Sequence, residues 1–487
     1  MQSQWYIDWY KNAHHRQYPQ DITQVWSNWT PRGSRIKGVS EVVYVGMNYF
    51  IKKHLIDTWD TEFFALPWEH IEREYKAVVS ACMGDLNPDA SHLHKLHKLG
   101  YLPIKIYSLP EGSLVPLRVP CAVLTNTHPE FFWLPNYLES VMSSMLWMPS
   151  TSATTARRFR QVFVRHAREA GEKDLSFVDW QGHDFSYRGM PGTEAAILSG
   201  LGHLTQFSGT DTVPAILAAH QFYRASYGVG GSVPATEHSV MSAGTQGGEF
   251  ETFRRLITEV HPTGVVSIVS DTWDLWKVLT DYVPRLKREI LNRPGKIVIR
   301  PDSGDPVEIM GGTGKGHAPE GRGVLALLAE TLGVDAKGMI QGAAAIYGDS
   351  ITVERADEIL TRCRHWRGLH PYNVVLGIGS YTYQYTTRDT FGWAMKATAV
   401  RRAGGQIEPI FKQPVTDSGE KFSARGLTAV CDFAPKDDGG KRAYKLFENA
   451  QESTLDDCAF DVVYQDGELK VDPTFEEIRR RARLGLE

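Results

Sequence analysis

From about residue 200 the chain alternates between strand-like and helix-like segments, and this alternation restricts its possible folds more than any other feature. "GVVSIVSD" (264–271) is a short β-branched run; "TWDLWKVLTDYVPRLKREIL" follows with Trp273, Leu275, Trp276, Leu279 and Tyr282 at helical spacing. Next come "KIVIR" (296–300), the helical "GVLALLAETLG", the apolar "MIQGAAAIYGD", the helical "VERADEILTRCRHW" and "NVVLGIGS" (373–380). Strands separated by helices in this way predict βα units and a parallel sheet, because parallel neighbours need a crossover connection. Polar residues stand just past the strand-like runs: Asp271, Arg300 with Asp302, Asp349, and Gly379 with Ser380. In a β/α barrel or a doubly wound open sheet that edge is where active sites are built, and the pattern alone fits either fold.

The flanks read differently. Residues 1–150 mix short aromatic strands such as "SEVVYVGMNYF" with helices near 66–83 and 134–147. Residues 395–487 suggest antiparallel hairpins ("GLTAVCDFAP", "AYKLFEN", "DVVYQDGELKV") ending in a basic helix, "TFEEIRRRARLGL". A second α+β domain built from both chain ends, around a central 151–394 domain, is expected, and 487 residues suit about two domains. The segment "GGTGKGHAPEGRG" (311–323) reads as a mobile loop, not a phosphate loop: Lys315 is followed by Gly, and no strand directly precedes it. A net charge of −4 argues against nucleic acid as the main partner, and no apolar run has the length of a membrane span. Five scattered cysteines without a CxxC pair suggest a reducing cytoplasm.

Several segments carry groups able to do chemistry. "SVPATEHSV" (232–240) sets Glu237 beside His238; "SGTDTV" (208–213) puts Asp211 among small residues, suited to a helix cap or to a ligand; "HDFSYRGM" (183–190) combines an aromatic face, Phe185, with a guanidinium, Arg188. In "IRPDSGDP" Arg300, Asp302 and Asp305 crowd one strand end. Singly, each fits an ordinary structural role. In order along the βα region they supply a flat-ring clamp, a carboxylate, a histidine and acid–arginine pairs.

With "DWYKNAHHRQYP", "IYGDS", "TTRD" and "IFKQPV" added, these segments resemble the nicotinamide phosphoribosyltransferase family, type II phosphoribosyltransferases, over essentially the full length. The resemblance implies an irregular β/α barrel, a second domain from both chain ends, and a head-to-tail homodimer. The implied reaction joins nicotinamide to 5-phosphoribosyl-1-pyrophosphate in NAD salvage, stimulated by ATP through a phosphorylated His238. Phe185 is expected to stack on the pyridine ring, Tyr10 of the partner subunit to cover its other face, Arg300 to meet the carboxamide oxygen and Asp211 its NH2. Glu237 and Asp271 are expected to orient His238, and Asp302 with Asp271 to hold Mg2+. The ribose phosphate falls to Arg188, Gly348, Asp349, Gly379 and Ser380. Pyrophosphate or ATP phosphates fall to Arg32, Arg388, Lys396, Lys412 and Lys421. Asp305 is left to tie down its turn. Two segments depart from the family pattern: Ser380 and Tyr381 stand where glycines are usual, and "IYGDS" replaces Gly-Asp-Gly. A nicotinate-specific enzyme and a non-catalytic binding relative are the alternatives; Asp211 opposes the first, and retained His238, Asp302 and Arg300 oppose the second.

Overall fold

The structure, a computed structural model, describes residues 1–416, 423–433 and 442–486. Its contacts divide the chain into two units: one from Met1–Ala153, Ala218–Ala225 and Thr387–Gly485, the other chiefly from Thr154–Leu217 and Ser226–Thr386. The boundary expected at 150 falls inside a single helix, Glu139–Glu169. The return to the first unit comes before 395, because the strand Trp393–Arg402 pairs from its first residue with Ile22–Pro31.

The first unit centres on a seven-stranded sheet in the order Ile407–Pro409, Trp393–Arg402, Ile22–Pro31, Ala122–Asn126, Ile104–Ser108, Asp461–Gln465, Glu468–Leu469. Each pairing is antiparallel. Trp29 and Trp393, both fully buried, stack across two strands with ring centroids 5.3 Å apart. The run "SEVVYVGMNYF" is strand only over Glu41–Val43 and is helical from Met47. Gly46, at φ +111°, ends the extended run, and the buried Glu111 carboxylate then accepts the N–H groups of Gly46 (2.6 Å) and Asn48 (2.7 Å). A carboxylate on the unpaired N–H groups at a helix start favours helix there. The C-terminal hairpins form as expected, and Thr474 and Glu477 make a capping box for the helix Phe475–Ala482.

The second unit holds six parallel strands: β1 Gly182–Asp184, β2 Gly209–Thr210, β3 Val266–Val269, β4 Ile297–Arg300, β5 Ala343–Tyr347 and β6 Val374–Ile378, ordered β2-β1-β6-β5-β4-β3. The two edges, β2 and β3, are joined by residues 231–236 through single parallel bridges, Gly209 to Gly231 and Ala235 to Ser267. Thr210 N–H donates to Gly231 O (2.9 Å), Ser267 N–H to Pro234 O (2.9 Å), and Val269 N–H to Thr236 Oγ1 (2.9 Å). These bonds close the ring as a barrel rather than an open sheet, and Pro234, with no N–H to give, leaves the closure irregular. Period-2 alternation sorts its residues. Ile297, Ile299, Ala343 and Ala345 are fully buried, whereas Val298, Ala344, Ile346 and Val375 line an internal cavity.

Asp305 does tie its turn, accepting the N–H groups of Val307 (2.9 Å) and Glu308 (3.1 Å) at the start of the helix Pro306–Gly311. The 311–323 segment, expected to be mobile, is held by arginines. Arg362 donates to Gly312 O (2.8 Å), and Arg367 to Gly311 O (3.1 Å) and Gly321 O (3.2 Å).

In the first unit the imidazoles of His15 and His92 stack with centroids 3.7 Å apart, and Trp133 and Tyr75 meet His92 edge-on. Both nitrogens of the buried His92 lack hydrogen-bond partners. Burial pushes His92 well below the usual histidine range, with His15 adding to it, and pushes His15, beside Arg16, down to about 4; Asp89 opposes both shifts. Both groups bind protons more readily when unfolded, so their contribution is complete above about 6.5 and is lost as pH falls towards 4. The urea unfolding midpoint is expected to drop over that window, and His92→Phe, which keeps the stack without titrating, to flatten the drop. An equal slope in the variant would count against this account.

Candidate active site

Every strand of the barrel ends in, or within two residues of, a residue of the expected site. Phe185 follows β1, Asp211 follows β2, Asp271 lies just past β3, Arg300 ends β4, Gly348 and Asp349 follow β5, and Gly379 and Ser380 follow β6. A cavity of about 580 Å3 is lined by Phe185, Arg188, Asp211, Glu237, Arg300 and Asp302. A second, of about 560 Å3, shares Phe185, Asp211 and Arg300 and extends among the inward residues Val298, Ala344 and Ile346. The carboxyl ends thus carry the polar groups, and small side chains such as Ala344 leave room in the barrel interior.

At the Phe185 end, Asp211 does not cap a helix. Its Oδ1 accepts from His183 Nε2 (2.9 Å) and Ser232 Oγ (2.5 Å). Burial pushes this carboxyl up, but the donors from His183 and Ser232 outweigh it, and the net shift is downward. His183 also packs beside Phe185, ring centroids 4.5 Å apart.

At the other end, four charged groups converge. Asp271 is nearly buried: its Oδ2 accepts from the N–H groups of Asp302 (2.9 Å) and Ser303 (2.8 Å) and from the Ser303 hydroxyl, while its Oδ1 has no partner. His238, first residue of the helix His238–Ala243, places Nε2 4.0 Å from Asp271 Oδ1 and 4.0 Å from Asp302 Oδ2; its Nδ1 lies 3.2 Å from Thr272 Oγ1. Glu237, expected with Asp271 to orient His238, accepts from the Ser239 hydroxyl, while Thr272 and Asp271 are the groups placed near the imidazole nitrogens. Arg300 Nε is buried without a hydrogen bond, 3.8 Å from Asp302 Oδ2. Burial pushes the Asp302 carboxyl up; Arg300 opposes this and Asp271 reinforces it. Among the described residues no three His, Cys, Asp or Glu side chains form a metal cage. Asp302 and the Asp271 Oδ1 that lacks a hydrogen bond are the two carboxylate donors that would hold an ion of the Mg2+ kind, which takes one or two carboxylates and fills its shell from water and substrate phosphates.

At the phosphate end, Ser380 packs onto Gly189, next to Arg188: a methyl group at 189 would come within 2.1 Å of Ser380 Oγ. Asp349 accepts from Ser350 Oγ (3.0 Å), and Ser350, standing where the family has glycine, takes the left-handed φ of +56°. Tyr10, Arg32, Arg388, Lys396 and Lys412 belong to the first unit. There burial lowers Lys396, Glu139 opposing it while Arg32, Lys11 and Arg388 add to it; Arg388 also acts on Tyr10. Those cations thus gather around Lys396, and Glu139 pairs with Lys11 and lies 3.9 Å from Lys396. Lys412 stands apart in sequence, its N–H donating to Ser423 Oγ (2.8 Å), and Lys421 lies outside the described residues. Sequence reading missed His183, Ser232, Thr272, Ser303 and the ion pair Lys11–Glu139. Period-2 spacing from Phe185 was the available signal for His183.

Sequence models of two families match the chain: the nicotinate phosphoribosyltransferase (NAPRTase) family over residues 180–451, and the nicotinamide phosphoribosyltransferase N-terminal domain over 4–106. Among curated proteins, a nicotinamide phosphoribosyltransferase of Acinetobacter baylyi is 44% identical over 99% of this chain and 97% of its own length. Another from Mycoplasma pneumoniae is 34% identical over 84% and 92%. Two solved structures share the fold at 15% identity and 98% coverage of this chain. They are human nicotinic acid phosphoribosyltransferase (TM-score 0.59, 92% of that chain) and a nicotinate-nucleotide pyrophosphorylase from Pyrococcus furiosus (TM-score 0.56, 93%). Barrel, strand-end site and matched models together define a pentosyltransferase of the phosphoribosyltransferase class. Within that class the chain belongs to the nicotinamide phosphoribosyltransferase family.

The aromatic wall depends on a glycine. A methyl group at Gly377 would stand 2.7 Å from the Phe185 ring and 2.8 Å from Gly348 Cα, and backbone cannot move aside cheaply. Gly377→Ala is expected to lower kcat/KM at least tenfold, roughly 1.4 kcal/mol of transition-state stabilisation, with the chain still folded by circular dichroism. Unchanged kinetics would mean that Phe185 is not held by this contact.

Proposed function

We propose that the chain joins nicotinamide to 5-phosphoribosyl-1-pyrophosphate, giving nicotinamide mononucleotide and pyrophosphate, in NAD salvage. The observation that carries the choice of base is the Asp211 carboxylate lining the cavity beside Phe185 and Arg300. A carboxylate accepts a hydrogen bond from the carboxamide NH2 of nicotinamide, while the Arg300 guanidinium suits its carbonyl oxygen. The carboxylate of nicotinate would bring like charge without a donor, a cost of several kcal/mol in a dewatered pocket, on the order of a buried unpaired charge.

The chain's own groups then divide the work. Phe185 holds the pyridine ring flat, so that its nitrogen lines up with the ribose carbon it attacks, and Tyr10 of the partner subunit covers the other face in a homodimer. Arg188, Gly348, Asp349, Gly379 and Ser380 seat the ribose and its phosphate. The cations Arg32, Arg388 and Lys396, with Lys412 and Lys421, receive the phosphates that leave with negative charge. Asp302 and Asp271 would hold Mg2+, which would supply positive charge to the departing phosphates.

His238 supplies the coupling to ATP. With its Nδ1 proton directed at Thr272 Oγ1, the Nε2 lone pair is free to attack the γ-phosphorus, releasing ADP. Water later hydrolyses the phosphohistidine and returns phosphate and the neutral imidazole. Among the described residues no helix is long and apolar enough to cross a membrane, and the five cysteines are free thiols; cytoplasmic residence suits both.

His238→Ala is expected to abolish ATP hydrolysis while a slower, ATP-independent synthesis persists. Phosphate release and mononucleotide formation, followed separately, check both halves; intact hydrolysis would assign phosphorylation to another residue.

A further inference from the structure

The Asp211 carboxylate is held from one side only. His183 Nε2 (2.9 Å) and Ser232 Oγ (2.5 Å) both donate to Oδ1, and Oδ2 accepts no hydrogen bond among the described residues. Asp211 lines both cavities, so Oδ2 is the oxygen a ligand there finds unclaimed. The carboxyl torsion of an aspartate is soft, and without the anchors on Oδ1 neither oxygen has a fixed direction.

The geometry that brings His183 to this oxygen is built into the barrel. His183 on β1 pairs with Gly209 on β2, and Asp211 lies two residues further along the same chain, the diagonal neighbour on the same face. The ring reaches across Gly209 to make the bond. A methyl group at 209 would come within 2.9 Å of His183 Nδ1, so the glycine is what lets the imidazole lean over. Ser232 comes from residues 231–236, which close the barrel, so the two donors arrive from opposite sides of β2. Phe185, two residues beyond His183 on the same face, ties the orientation of the carboxylate to that of the stacking ring.

We infer that His183 is a positioning residue for base selectivity: its Nε2–H fixes Asp211 Oδ1 and thereby presents Oδ2 to the carboxamide of the base. This rests on the reading of Asp211 as the group that receives the carboxamide NH2. Donation from Nε2, rather than the bulk of the ring, is the required property.

The side-chain nitrogen of glutamine reaches about as far as the imidazole Nε2, whereas that of asparagine stops near Nδ1. Steady-state kinetics with nicotinamide and with nicotinate therefore separate the roles. His183→Gln is expected to keep the ratio of the two kcat/KM values within about threefold of the parent. His183→Asn is expected to lower that ratio about tenfold, chiefly by raising KM for nicotinamide with kcat changed less; tenfold is the order expected for a hydrogen bond to a charged group. Equal losses in both variants would show that the ring's packing on Phe185 matters and not the donor, and would overturn the inference, as would no loss in either. If the asparagine variant does not fold, His183→Leu against His183→Gln makes the same comparison. Asp211→Ser, assayed alongside, is expected to shift preference towards nicotinate. An unchanged preference in that variant would sink the reading of Asp211 itself; a shifted one with an unaltered His183→Asn would sink only the role of His183.

Discussion

Closure of the barrel by residues 231–236 is the contact on which the site depends. Six parallel strands leave two edges, and an open edge is a row of unpaired N–H and C=O groups. Here one short segment satisfies both edges with isolated bridges and the Thr236 hydroxyl, since its proline bars a full ladder. The same few residues deliver Ser232 to Asp211 and lead directly into the helix that begins at His238. Architecture and site are therefore not separable at this point: a change that loosens the closure also moves Asp211 and the start of the helix that carries His238.

Asp271 works as a latch of the second kind, electrostatic rather than topological. One of its oxygens gathers three donors from Asp302 and Ser303, which fixes the loop after β4 against the loop after β3. The other oxygen is left buried and unpaired towards His238. A buried unpaired carboxylate oxygen is costly, so it is usually retained where something transient satisfies it. Here His238 Nε2 lies 4.0 Å from that oxygen. Burial raises the pKa of Asp302 beside it, against Arg300, and Asp271 adds to the rise.

Much of this was legible in the sequence because strand ends in βα units are marked by composition. Asp271, Arg300, Asp302 and Asp349 stood after β-branched or apolar runs, and the barrel places them at one edge. Closure was not legible, because a single bridge on each side has no periodic signature, and neither was the division of the Asp211 oxygens. Thr272, thirty-four residues from His238 in sequence, meets the imidazole, a contact that adjacency in the chain does not signal. The helix at 47 was hidden in an aromatic, β-prone run, since its cause is a carboxylate at Glu111, far along the chain. At the departures from the family pattern, Ser350 takes the left-handed conformation and Ser380 seats on Gly189.

The central claim is that this barrel uses nicotinamide and discriminates against nicotinate. Mononucleotide formation by the purified chain, measured side by side with each base at saturating 5-phosphoribosyl-1-pyrophosphate and ATP, tests it most directly. The account predicts turnover with nicotinamide and a kcat/KM at least about a hundredfold lower with nicotinate, the scale set by one unpaired charge in a pocket; faster turnover of nicotinate would contradict it.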